Sequence, residues 1–277
     1  MNYKRILTIQ DISCIGQCSM TVALPILSAC GMETCILPSA VLSSHTGGFS
    51  KPAVFDMTEA MPKIQAHWIK EGITFDGIYT GYLGSVKEIG FVQDIARTLL
   101  APGGKLIVDP AMADHGKLYS GFDHGYVEAM KTLCAGADVV IPNITEAAML
   151  TGQEFREVLD KQYVETLLSA MAVLGAKCVV LTGVGFLREE TGVAIWNEGE
   201  ITYYHHPKVV RPYHGTGDIF AASFVGAWLG GKKLQDAAEI AARYTQCCIE
   251  NTADDPAHWY GTKFETALPE LIRLLQE

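Results

Sequence analysis

Short runs of apolar and β-branched residues recur along the first two-thirds of the chain: "RILTIQ" from Arg5, "TCILPS" from Thr34, "GIYTGYL" from Gly77, "KLIVDP" from Lys105, "DVVIPN" from Asp138 and "KCVVLTG" from Lys177. Apolar residues stand at consecutive rather than alternating positions, and several runs stop at Gly, Pro, Asp or Asn. That pattern predicts strands buried on both faces. The longer stretches between them, "SMTVALPILSACG", "MTEAMPKIQAHWIKEG", "EIGFVQDIARTLL" and "KQYVETLLSAMAVLG", carry helical patterning, with the last two closest to a 3.6-residue period. Pro25 and Pro62 fall in the first two, where a proline near a helix start is tolerated.

Strand and helix alternate at the spacing of right-handed crossovers, so the expected fold class is α/β: a mainly parallel central sheet with helices on both faces, forming three layers. "GVAIWNEGEITYYHH" breaks the rhythm and predicts an antiparallel hairpin turning at "NEGE" on a sheet edge, with His205 and His206 at its surface. Three helical stretches follow: "GTGDIFAASFVGAWLGG", "LQDAAEIAARYTQCCIEN" and "KFETALPELIRLLQE". With no linker-like composition break, residues 1–277 read as a single domain.

The chain is 49% hydrophobic, enough for a large core, and its formal net charge of −10 argues against nucleic acid as a partner. No apolar stretch reaches the roughly 18 residues of a membrane span. "MNYKRILTIQD" fails as a signal peptide, so a cytoplasmic location is expected. The eight cysteines, including Cys30, Cys134, Cys178, Cys247 and Cys248 in apolar segments, read as reduced thiols in a chain large enough not to need disulfides.

In a parallel sheet, ligands sit beyond the carboxyl ends of the strands. The polar residues there are Gln10 and Asp11, "SSHTGG" (Ser43 to Gly48), Gly81 and Tyr82, Asp109, Asn143 with Glu146, and Thr182 with Gly183. "RPYHGTGD" adds two glycines and an acid where a helix begins. Gly215 and Gly217 let the backbone approach a ligand, and the free amides of the helix start favour anionic oxygen. Asp218 reads either as a helix cap or as a base beside an anion hole, taking a hydroxyl proton while the amides hold a phosphoryl group in transfer. Asn143 and Glu146 have the spacing of a capping box, and Asp109 before Pro110 suits either a turn or water-mediated magnesium coordination.

These motifs resemble those of the vitamin B6 kinases of the ribokinase superfamily. "GTGDIFAASF" is similar to the superfamily's G-x-G-D signature, and "SSHTGG", "TGYLGS", "VDPAM" and "IPNITEAAML" follow the family's order and spacing across nearly the whole chain. The resemblance implies a ribokinase-like fold and ATP- and Mg2+-dependent phosphorylation of the 5'-hydroxymethyl group of pyridoxal, pyridoxine or pyridoxamine. It also implies a homodimer.

By the same resemblance Asp218 is the base, and the amides of Gly215, Thr216 and Gly217 form the anion cradle. Asp11, His45, Thr46, Gly47 and Tyr82 fall on the vitamin side; on their own chemistry, Thr46 and Tyr82 also suit a turn and a core edge. Asp109, Asn143, Glu146 and Thr182 fall on the nucleotide side, with Asp109 and Glu146 nearest the metal, and Arg211, Pro212, Tyr213 and His214 form a loop folding over the site. Where many B6 kinases have Ser, this chain has Asp11. An ionised carboxylate accepts hydrogen bonds but donates none, which favours the ammonium of pyridoxamine over the aldehyde of pyridoxal. The His-Gly-Thr-Gly of "PYHGTGD" is shared with hydroxymethylpyrimidine kinases, which typically carry Cys at the position of Asp218. A pyrimidine kinase is therefore the nearest alternative, and a catalytically silent B6-binding protein is a further one.

Overall fold

The computed structural model of the chain describes residues 3–209 and 213–277. In chain order its elements are β1 (Arg5–Ser13), α1 (Met20–Ala29), β2 (Glu33–Leu42), β3 (Val54–Asp56), α2 (Met61–Lys70), β4 (Phe75–Thr80), α3 (Val86–Leu99), β5 (Leu100–Val108), β6 (Ala113–Asp114), β7 (Lys117–Leu118), α4 (His124–Ala135), β8 (Val139–Val140), α5 (Ile144–Thr151), α6 (Lys161–Val173), β9 (Cys178–Thr182), β10 (Glu190–Asn197), β11 (Glu200–Pro207), α7 (Thr216–Leu229), α8 (Leu234–Glu250) and α9 (Leu268–Gln276). The central sheet runs β11-β10-β9-β8-β5-β4-β1-β2-β3. Its six middle strands pair in parallel, from β9 through β2. The expected hairpin, β10 and β11, pairs antiparallel at one edge and turns at Glu198 and Gly199, while the short β3 pairs antiparallel at the other.

Successive residues of each central strand enter opposite layers, which is why the strands read as continuous apolar runs. Leu7, Ile78, Val108, Val140 and Val179 pack with Ile89, Val92, Met130 and Leu167 from the helices of one face. Ile6, Tyr79, Ile107, Val139 and Val180 pack with Ile26, Phe224, Ala241 and Leu271 from the other. Burying one such side chain typically contributes about 1.5–3 kcal/mol. The predicted three-layer α/β architecture is therefore the observed one.

Some elements differ from the sequence expectation. α4 and the short strands β3, β6 and β7 are additional. β4 ends at Thr80 rather than Leu83. β1 continues to Ser13, with a register shift against β2 between Gln10 and Ile12, so Gln10 and Asp11 lie within the strand rather than after it. Three residues of β2 advance there against two of β1, a bulge of the kind that re-aims side chains beside ligand sites.

From β1 the sheet grows through β2 to one side and through β4, β5, β8 and β9 to the other. The winding reverses between β1 and β4, and in such sheets the ligand crevice lies outside the carboxyl ends of those strands.

Candidate active site

The floor of this crevice is polar. Gln10 is fully buried, its amide nitrogen donates to the Thr8 hydroxyl at 2.6 Å, and a Cβ on Gly81 would fall 2.4 Å from its Oε1. Gln10 Oε1 and the Thr80 hydroxyl are buried without a hydrogen-bond partner among the described residues. Beside them lies Asp11, 5% exposed, whose Oδ2 accepts the Ser13 hydroxyl at 3.0 Å. Burial raises the Asp11 pKa, while the Ser19 and Ser13 hydroxyls and the nearby His45 hold it down. The carboxylate thus caps the following loop and lies within electrostatic reach of His45 and Tyr82.

The glycine-rich start of α7 closes on that loop. Gly215 sits at φ 79°, and a Cβ there would fall 1.8 Å from the Gln17 carbonyl oxygen, so only glycine permits this approach. The first intrahelical bond runs from Ile219 N–H to Gly215 O at 3.0 Å. The amides of Thr216, Gly217 and Asp218 therefore point out of the helix end, and the space beside Gly217 is open. Asp218 is half-buried in this first turn. Loss of water pushes its carboxyl up to about 7, against the Ser19 N–H that stabilises its charge and with the added repulsion of Asp11.

Asp218 joins two groups of acids. Its charge also reaches Asp109, whose pKa burial raises well above the usual range, with Glu146 and Asp218 adding repulsion. Asp109 directly follows β5: its N–H donates to Thr80 O at 2.9 Å, and Ala111 N–H donates to its Oδ1 at 3.2 Å, so the turn and acidic readings coexist. Asn143 and Glu146 form the expected capping box of α5, with Glu146 N–H to Asn143 Oδ1 and Asn143 N–H to Glu146 Oε2, both at 2.9 Å. Glu146 Oε1 accepts Met112 N–H at 3.1 Å and Ala113 N–H at 3.5 Å, and Asn143 Nδ2 donates to Ala113 O at 2.8 Å. Glu146 is 2% exposed, and burial raises its pKa despite these bonds. A bridge between Asn143 and Thr182 brings the end of β9 to the same side.

Among the residues expected on the vitamin side, His45 is buried, accepts Gly47 N–H at Nδ1 (3.0 Å) and lies 2.7 Å from the Tyr260 carbonyl through Nε2. Nε2 therefore carries the proton. Gly47 is hemmed in by His214: a Cβ there would fall 2.5 Å from that ring. The His214 and His45 rings are 5.2 Å apart, and burial lowers the His214 pKa. Tyr82 stacks on Phe122 at 5.5 Å and lies within reach of the Asp11 charge, whereas Thr46 is exposed on its loop. The Tyr213 hydroxyl donates to Thr252 O at 3.0 Å. Arg211 and Pro212 lie outside the described residues. Ser13, Ser19 and the Asp255–Gly261 segment were not singled out from sequence; Gly16 and Gly261 were the available signal for the close packing there.

The donor set fits magnesium. Asp109 lies within electrostatic reach of both Glu146 and Asp218, and a hard cation with oxygen ligands relieves that repulsion. Because Glu146 commits both oxygens to backbone N–H groups, its contribution would pass through water or through holding the Asp109 turn. Among the described residues, no group of three or more His, Cys, Asp or Glu is arranged as a direct metal cage, and no helix is long and apolar enough to cross a membrane.

Residues 24–262 match the phosphomethylpyrimidine kinase family model. A Bacteroides thetaiotaomicron protein provisionally assigned as a phosphomethylpyrimidine kinase, solved with pyridoxal, superposes with a TM-score of 0.91 at 33% identity, covering 98% of this chain and 96% of that one. Pyridoxal kinase from Lactobacillus plantarum superposes with a TM-score of 0.89 at 33% identity, covering 98% and 97%. Hydroxymethylpyrimidine/phosphomethylpyrimidine kinase of Bacillus subtilis is 26% identical over 218 residues, 77% of each chain.

Proposed function

The chain belongs to the phosphomethylpyrimidine kinase family and is also similar to pyridoxal kinases, and from that premise we propose that it phosphorylates the 5'-hydroxymethyl group of a B6 vitamer, with ATP as donor. The observation that carries this reading is Asp218: a carboxyl with a pKa of about 7 at a helix start whose outward amides flank open space. A general base is most effective when its pKa lies near the working pH.

In this mechanism Asp11, Gly47 and Tyr82 hold the ring, and His45 fixes the Gly47 amide. Ionised Asp218 takes the proton from the substrate hydroxyl as its oxygen attacks the γ-phosphorus. The bond to the β–γ bridging oxygen breaks, and ADP leaves with that electron pair. The amides of Gly215, Thr216 and Gly217, joined by that of Asp218, meet the charge spread over the transferring phosphoryl group, while the Asp218 carboxyl releases its proton to solvent afterwards. Asp109, with Glu146 acting through water, would hold a magnesium ion, which when bound would supply charge neutralisation on the phosphates. Thr182 and Asn143 border the nucleotide, while Tyr213 and His214 belong to the loop that folds over nucleotide and substrate, with His214 on the Gly47 side. The reading includes a cytoplasmic location and a homodimer, the latter supported by Val54 and Phe55, exposed on edge strand β3.

A second substrate, hydroxymethylpyrimidine, is favoured by the family match itself and by the Bacillus subtilis relative. Comparing kcat/KM for pyridoxal, pyridoxine, pyridoxamine and hydroxymethylpyrimidine at saturating ATP decides between them. A vitamer is expected to give the highest value. A higher value for the pyrimidine replaces the vitamer reading, and tight vitamer binding without phosphate transfer replaces both with a silent binding protein.

A further inference from the structure

After α8 the chain enters Asp255–Gly261, a segment without helix or strand that nevertheless packs against both loops of the vitamin side. The Tyr260 carbonyl accepts from His45 Nε2 at 2.7 Å and from Gln17 N–H at 3.4 Å. A Cβ on Gly261 would fall 2.4 Å from the Gln17 side chain, and one on Gly16 2.0 Å from His45. The segment is also tied at its base by the Lys263–Asp255 ion pair at 2.7 Å and by Lys263 N–H to Thr252 Oγ1 at 2.9 Å. It is a held scaffold.

That scaffold presents Trp259. The indole lies over Gly48, where a Cβ would fall 2.8 Å from it, and its ring is 4.6 Å from Phe49 and edge-on to Tyr260 at 5.8 Å. Despite these contacts it remains 46% exposed. A large aromatic surface is thus held open to water beside the "SSHTGG" loop.

We propose that Trp259 is a specificity-determining residue of the substrate half of the site, its open indole surface forming a wall on which the flat heteroaromatic ring of the substrate stacks beside Gly47 and Gly48. The inference rests on the kinase reading above and adds to it a residue whose surface favours flat heteroaromatic alcohols over non-aromatic ones. Offset stacking is indifferent to which of the two rings is bound, but a saturated sugar ring has no π face to offer.

The test compares wild type, Trp259→Ala and Trp259→Phe in the full chain. Steady-state kinetics with pyridoxine and with hydroxymethylpyrimidine are joined by a fluorescence titration with pyridoxine in the absence of nucleotide. Stacking predicts that Ala raises KM for the ring alcohol by about 2- to 12-fold, with kcat and the KM for ATP unchanged. Phe restores most of the loss. Pyridoxine quenches wild-type emission, and the quench is largely lost in Trp259→Phe although three tryptophans remain. An unchanged ring-alcohol KM in the Ala variant overturns the wall while leaving the kinase reading intact. So does an equal rise for ATP and ring alcohol with a lowered Tm, which marks Trp259 as scaffold alone. A wild type that turns over neither ring alcohol overturns the kinase reading and this inference with it.

Discussion

Replacing Asp218 with Asn separates the two roles that a carboxyl at a helix start could have. As the base, Asp218 is needed ionised, and the substitution should lower kcat by roughly 10²–10⁴-fold while substrate affinity changes little. Its environment adds a second expectation. Burial, opposed by the Ser19 N–H and reinforced by Asp11, pushes its pKa from 3.8 up to about 7. Below 3.8 the group is protonated in both folded and unfolded chains and costs nothing. As pH rises toward about 7 the unfolded chain ionises freely while the folded one resists, so stability is lost across that window and the cost is complete above it. The full gap corresponds to at most about 4 kcal/mol, less what solvent at this half-buried side chain screens. For a chain of this size, about 1 kcal/mol moves Tm by roughly 2 °C. Asp218→Asn should therefore raise Tm by a few degrees at pH 8, with the gain fading toward pH 4, while activity collapses. Wild-type kcat/KM should fall on the acid side with an apparent pKa of about 7. Thermal melts at several pH values and a pH–rate profile check both. Near-wild-type turnover with a lowered Tm at pH 8 would refute the base assignment and leave Asp218 as a cap.

Glu146→Gln replaces one of two accepting oxygens with a donor facing backbone N–H groups, so a magnesium titration should show a higher half-maximal concentration, with vitamer binding in the absence of nucleotide unchanged. An unaltered titration leaves Glu146 as a helix cap. Asp11→Ser should shift the kcat/KM ratio of pyridoxamine to pyridoxal toward pyridoxal by roughly ten- to hundredfold, and should move the acid limb to lower pH because a negative charge beside Asp218 is gone. Identical ratios in both proteins remove Asp11 from substrate selection. Gly215→Ala must place a methyl against the Gln17 carbonyl at φ 79°, and should lower stability by about 1–3 kcal/mol with loss of activity, read by denaturant unfolding.

The core strands were legible because each is buried on both faces and bounded by residues that stop it, and the hairpin because its turn carries glycine. α4 was not read, although Tyr126, Val127, Met130, Leu133 and Cys134 stand at helical spacing behind an Asp123 cap; the polar, glycine-rich stretch before it hid the start. Asn143 and Glu146 were legible as a pair because a capping box is a local pattern. Their second set of bonds, to Met112 and Ala113, is long-range and leaves no trace in spacing. The same applies to His45, whose partner Tyr260 belongs to a segment with no period, and to Ser19, held at φ 49° by packing that no local propensity favours.

His45 and Tyr260 stand 215 positions apart. At about 5–20 residues per second of synthesis, roughly 10–40 s separate the emergence of the first from that of the second. During that interval β1 and β2 can already pair, and the free side of β1 waits as an open edge until β4 arrives. Gly215, the residue that backs onto Gln17, is also still to come for most of that time. A nascent chain can therefore pair most of its sheet while it still lacks both the glycine-rich turn at Gly215 and the α7–α9 layer that covers one face, so the site and that half of the core are completed together at the end of synthesis.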